Sequence, residues 1–117
     1  MYELIEVNKP VHSDPYVLLQ FKGEIDNTCI NEIQKKIDKY VLDLSVPNLV
    51  FDLKYLSYVN SQYVGYLISL TEKLLNNKQK LVLSQAQPQV YDIFDNLGVF
   101  ELIEYQKDLD VFIKSLI

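Results

Sequence analysis

Ser57, Asn60, Ser61 and Gln62 interrupt the longest uncharged stretch of the chain, which runs from Tyr55 to Thr71. A serine placed just ahead of an apolar helical stripe can serve in two ways. Its hydroxyl can cap the helix by accepting from a first-turn N–H group. Alternatively it can carry a phosphate, which the positive end of the helix and its free amides favour. A phosphate on Ser61 would take the formal net charge from −5 to about −7. Tyr63 and Tyr66 lie three apart with Leu70 four further on, so they widen the apolar surface of the same helix. Large rings with polar tips suit a protein contact and suit packing under a sheet margin equally well.

Other chemistries are poorly supplied. His12 is the only histidine and sits in a Pro-flanked segment, where it reads as an exposed turn residue. Cys29 is the only cysteine, so neither an internal disulfide nor a cluster of zinc ligands is expected. Gly23, Gly65 and Gly98 stand far apart, and none opens a P-loop or a dinucleotide fingerprint. The carboxylate pairs Glu24/Asp26 and Asp92/Asp95 could act as acid and base, but carboxylates near turns and helices are common on surfaces. The expectation is a non-enzyme without metal or cofactor.

Composition points the same way. With 117 residues, 49% hydrophobic and 23% charged, the chain has the length and composition of one folded domain. All eleven cationic residues are lysine, against sixteen acids. That balance argues against direct nucleic-acid binding and against an anionic membrane surface. The uncharged stretch is too short and too polar for a span of roughly 20 apolar residues, so no membrane insertion is expected. Met1 to Pro15 holds Glu3, Glu6, Lys9 and Asp14 rather than a basic end and an apolar run. No secretory signal is therefore expected, and the cytoplasm is the expected compartment.

The elements that would position Ser61 alternate between strand and helix. Tyr2 to Val7 and Tyr16 to Phe21 read as strands, with a turn at residues 12–15 between them. After Phe21 the chain is expected to leave the sheet, with Asp26, Asn27 or Thr28 capping a helix whose inner stripe is Ile30, Ile33, Ile37, Val41 and Leu44. Asn48 to Leu53 reads as a buried central strand followed by a loop from Lys54 to Gln62. A second helix carries Val64, Leu67, Ile68, Thr71, Leu74 and Leu75 inward. Lys80 to Ser84 reads as a strand, and a short third helix follows, with Pro88 in its first turn, a Val90, Ile93, Phe94, Leu97 stripe and a stop at Gly98. Phe100 to Tyr105 can form an edge strand, and Asp108 caps a last helix. The sum is an α/β fold: a small, mixed, mostly parallel sheet of four to five strands with about four helices and one antiparallel edge.

Gly23-Glu24-Ile25-Asp26 after a strand, then Leu49 to Leu53, then Tyr58-Val59-Asn60-Ser61 opening a helix, and finally Pro88 to Phe100 resemble the STAS domain of anti-sigma factor antagonists. The resemblance covers nearly the whole chain. In that family the helix opens with Asp-Ser-Ser-Gly, and its first serine is phosphorylated by a partner serine kinase that is also the anti-sigma factor. Ser61 stands at the matching position, with Asn60 in place of the aspartate and Gln62-Tyr63 in place of Ser-Gly. The resemblance implies a switch: the unmodified domain binds the kinase, and the phosphorylated form is released until a serine phosphatase restores it. Asp26, Ser57, Asn60, Gln62, Tyr63 and Tyr66 are the expected partner contacts, and the same tyrosines would suit a homodimer. The departures at 60, 62 and 63 favour a second role found among STAS domains, an unphosphorylated module serving a lipid-transporter or signalling-scaffold complex. A deep cleft between Asp26 and Ser61 would instead favour catalysis or a small ligand, and a flat surface a protein partner.

Overall fold

A computed structural model describes residues 2–7 and 15–117, so His12 and most of the first expected turn lie outside the described residues. Five strands form one sheet in the order β1-β2-β3-β4-β5: β1 Tyr2–Glu6, β2 Tyr16–Ile25, β3 Asn48–Val59, β4 Lys80–Ser84 and β5 Glu104–Gln106. β1 pairs antiparallel with β2, and every other pairing is parallel. Helices α1 Ile30–Leu42, α2 Ser61–Asn76 and α3 Pro88–Asn96 make the crossovers, and α4 Leu109–Leu116 closes the chain. The expected mixed, mostly parallel α/β sheet is the one observed.

Strand alternation sorts the core into two layers. Val17, Leu19, Phe21, Leu49, Phe51, Leu81 and Leu83 join Ile33, Ile37, Leu67 and Phe94 on the face covered by α1 to α3. Leu18, Val50 and Val82 point the other way and pack on Leu109 and Phe112 of α4. Both faces of the central strands are thus buried, which explains their continuous apolar runs. Leu75 and Leu97, expected inside, are exposed, while Leu70 is buried in their stead.

Three boundaries differ from the sequence reading. β2 does not stop at Phe21 but continues to Ile25, with Gly23 at φ 88 bending it. β3 does not end at Leu53 but continues to Val59, so most of the expected loop is strand. β5 begins only at Glu104, because Gly98 at φ 73 leads into a 3-10 turn over Val99–Glu101. The two extensions pair with each other, from Lys22↔Tyr55 to Ile25↔Val59, and carry the chain beyond the end of β4.

Asp52 anchors the point where the sheet narrows. It is 4% exposed, and its carboxylate accepts from Gln20 Nε2 (3.0 Å), Gln85 Nε2 (3.0 Å) and the Lys54 N–H (3.1 Å). An Asp52→Ala change leaves all three donors without their acceptor, and a stability loss of about 3 kcal/mol is expected. A urea melt measures it; a loss below about 1 kcal/mol would mean that water replaces the carboxylate there.

Candidate functional site

Asn60 alone separates β3 from α2, and it binds in three directions. Its N–H donates to the Ile25 carbonyl (3.0 Å), its Nδ2 to Asn27 Oδ1 (3.1 Å), and its Oδ1 accepts from the Tyr63 N–H (2.9 Å). The last contact makes Asn60 the N-cap of α2, with extended backbone at φ −95 and ψ 169. Ser61, expected at or next to the cap, is therefore the first helical residue, and among the described residues its exposed hydroxyl has no partner.

Asn60→Ala is expected to cost about 1 to 2 kcal/mol, because it removes the cap and the link to Asn27 together. Ser61→Ala should change stability by less than about 0.5 kcal/mol, since an exposed serine that caps nothing is replaced by the best helix former. Chemical denaturation of the two variants tests the assignment, and the reverse order would return the cap to Ser61.

The turn between β2 and α1 forms the other half of this end. Asp26 Oδ1 accepts from the Thr28 hydroxyl (2.6 Å) and the Thr28 N–H (2.9 Å), and these bonds hold its carboxyl below the usual carboxylate range. Asp26 thus organises the turn rather than capping α1, whose N-cap is the buried Cys29 with no side-chain cap bond. That corrects the expectation that Asp26, Asn27 or Thr28 would cap the helix. Ser57 Oγ donates to the Gly23 carbonyl (3.0 Å) and fastens the β3 extension to the bend in β2.

Asp26, Asn27, Ser57, Asn60, Ser61 and Gln62 are therefore gathered where the β2 and β3 extensions run into α1 and α2. The expected tyrosine patch is not. Tyr63 is 0% exposed, with its ring 6.3 Å edge-on from Phe21, and burial pushes its phenol far up. Tyr66 is half-buried in the seam between α1 and α2, where its hydroxyl donates to Asp38 Oδ1 (2.6 Å). Burial, then the Asp38 bond, push this phenol up as well, so it stays a neutral donor. The physical reason is that the buried stripe of α2 is wide, taking in Tyr63 and Leu70 beside Val64, Leu67 and Leu74.

Two aromatics of the expected Lys54 to Gln62 loop stand on the surface instead. Tyr55 and Tyr58 are 48% and 44% exposed on the β3 extension, and Lys22 and Lys54 lie 5.3 and 5.7 Å from the Tyr55 ring centre. The grooves beside α1, beside the start of α3 and below the end of α2 are lined by residues other than Asp26 and Ser61. Among the described residues no three His, Cys, Asp or Glu gather around a metal position, and no helix is long and apolar enough to cross a membrane.

The family model of the STAS domain matches residues 6–111. The chain belongs to the STAS domain family. Solved structures agree on the fold: an anti-sigma factor antagonist from Mycobacterium paratuberculosis is similar at a TM-score of 0.84 and 20% identity, over 99% of this chain and 94% of that one. The anti-sigma factor antagonist SpoIIAA in its unphosphorylated form matches at 0.74 and 18%, over 98% and 96%. The Bacillus cell fate determinant SpoIIAA in its phosphorylated form matches at 0.67 and 17%, over 98% and 99%. In this STAS domain the element junction that holds Ser61 is built by Asn60, Asn27 and Ile25. Asn60 keeps a cap there while bringing no negative charge next to the serine.

Proposed function

We propose that this STAS domain is a cytoplasmic regulator of the anti-sigma factor antagonist type. Its surface around Asp26, Ser57, Asn60 and Gln62 binds a serine kinase that acts as an anti-sigma factor, and phosphorylation of Ser61 controls that binding. The observation that carries the reading is the placement of Ser61: exposed, unpartnered among the described residues, and first in a sixteen-residue helix whose first turn holds no acid. A kinase can reach this hydroxyl, and a phosphate there meets the positive helix end without a carboxylate in that turn. In transfer, Ser61 Oγ takes the γ-phosphoryl group of ATP, ADP leaves, and the hydroxyl proton passes to a base of the kinase. The domain itself supplies recognition and no catalysis, and a serine phosphatase would reset it.

Tyr63 is not part of this surface, and Tyr66 contributes at most the edge of its ring. Wild-type and Ser61→Asp baits incubated with lysate of the protein's own cells test the reading. Capture of an anti-sigma-type serine kinase by wild type, lost with Ser61→Asp, supports it. Retention of transporter or scaffold components by both baits alike would leave Ser61 a plain helix residue and the domain an unphosphorylated interaction module.

A further inference from the structure

On the β4 side of β3 the sheet narrows abruptly. β4 ends at Ser84 opposite Asp52, while β3 runs on to Val59, and the notch beyond β4 is a groove of about 640 Å³. That volume lies in the range of roughly 300 to 1,000 Å³ typical of small-molecule sites. The groove also sits at the carboxyl ends of parallel strands, where open α/β sheets bind ligands. It is separate from the Ser61 surface and does not depend on the function proposed for it.

The lining has a definite chemistry. In a chain with sixteen acids and eleven lysines, the groove is lined by Lys54 and Lys107 and, among the described residues, by no carboxylate. Neither lysine makes an ion pair among the described residues, in contrast to Lys36 and Lys80. Asp52 lies behind the lining, with its oxygens taken by three donors. Pro88 brings the start of α3 to the groove. Flat apolar walls come from Tyr91 and Tyr105, whose rings are fixed: Tyr91 lies 4.7 Å from Phe100 and 5.3 Å from Tyr105, and the Tyr105 hydroxyl accepts the Ala86 N–H (3.0 Å).

Gln85, also in the lining, adopts a left-handed backbone at φ 60 that a side chain rarely takes. The bond from its Nε2 to Asp52 holds it there. Local strain of this kind persists where the surroundings over-determine it, and it collects at ligand sites.

We propose that this groove binds a small organic anion. Its phosphate or carboxylate is held by Lys54 and Lys107, and its flat apolar body lies against Tyr91 and Tyr105. Titration of the ¹⁵N-labelled chain with phenyl phosphate, benzoate and inorganic phosphate tests it by amide shifts. Phenyl phosphate or benzoate should saturate shifts at Ala86, Tyr91 and Lys107 with a Kd of about 1 mM or tighter. Whichever of the two binds more tightly identifies the head group, and inorganic phosphate, lacking the ring, should bind at least about tenfold more weakly. The Lys54→Gln/Lys107→Gln double variant, with an otherwise unchanged spectrum, should lose at least about tenfold in affinity. No saturable shift by about 20 mM, equal binding by the double variant, or shifts centred on Asn60 and Ser61 would each overturn the proposal.

Discussion

Tyr63→Ala is expected to destabilise the domain by about 3 to 5 kcal/mol, while Tyr63→Phe leaves stability unchanged or raises it by about 1 kcal/mol. The two signs come from two parts of one side chain. The ring is fully buried against Phe21, which itself packs 4.7 Å from Phe51, so truncation opens a cavity between α2 and the middle of the sheet. Among the described residues the buried hydroxyl has no hydrogen-bond partner, so the folded state carries an unrecovered desolvation cost that phenylalanine does not. Urea denaturation of both variants checks this. A loss of more than about 1 kcal/mol in Tyr63→Phe would show that the hydroxyl is satisfied after all, by a buried water for instance.

The second large effect concerns binding. Ser61→Asp should weaken capture of the partner kinase by about ten- to a hundredfold, because a fixed negative charge in a contact must be desolvated. In the free domain the same substitution should raise stability slightly, by about 0.3 to 1 kcal/mol, since an acid in the first turn complements the helix dipole. The first turn of α2 has no acid, and Lys73 already occupies the last. Opposite signs in stability and binding separate a true interface effect from partial unfolding. A thermal melt and a binding isotherm on the same preparation suffice.

The helix stripes were legible in the sequence because amphipathic periodicity depends on near neighbours only. Ile30, Ile33, Ile37 and Val41 lie inside as spaced, Pro88 opens α3, Gly98 takes the left-handed backbone, and the Asp108 carboxylate accepts the Val111 N–H. The β3 extension was hidden by its own irregularity. Between Gln20↔Asp52 and Lys22↔Tyr55 the pairing advances two residues on β2 and three on β3, and between Gly23↔Leu56 and Glu24↔Tyr58 it advances one and two. Each bulge inserts a residue into β3, so Leu53, Leu56 and Val59 point inward three apart instead of two, and the alternation that signals a strand is lost.

The choice between Asn60 and Ser61 as cap was equally closed to sequence reading. Both residue types cap helices well, and the decision falls to Ile25, whose carbonyl takes the Asn60 N–H from a strand more than thirty residues earlier. Tyr63 shows the remaining limit: the same ring suits an interface or a core, and only the depth of Phe21 beneath it decides.

The central claim is that phosphate on Ser61 governs partner binding, and calorimetry tests it most directly. The unmodified domain and the domain stoichiometrically phosphorylated at Ser61, verified by mass spectrometry, are each titrated into the purified kinase captured from the same cells. The predicted result is a loss of at least about tenfold in affinity on phosphorylation, or about 1.4 kcal/mol. Equal affinity of the two forms would contradict the account and leave Ser61 an exposed first-turn residue without a switching role.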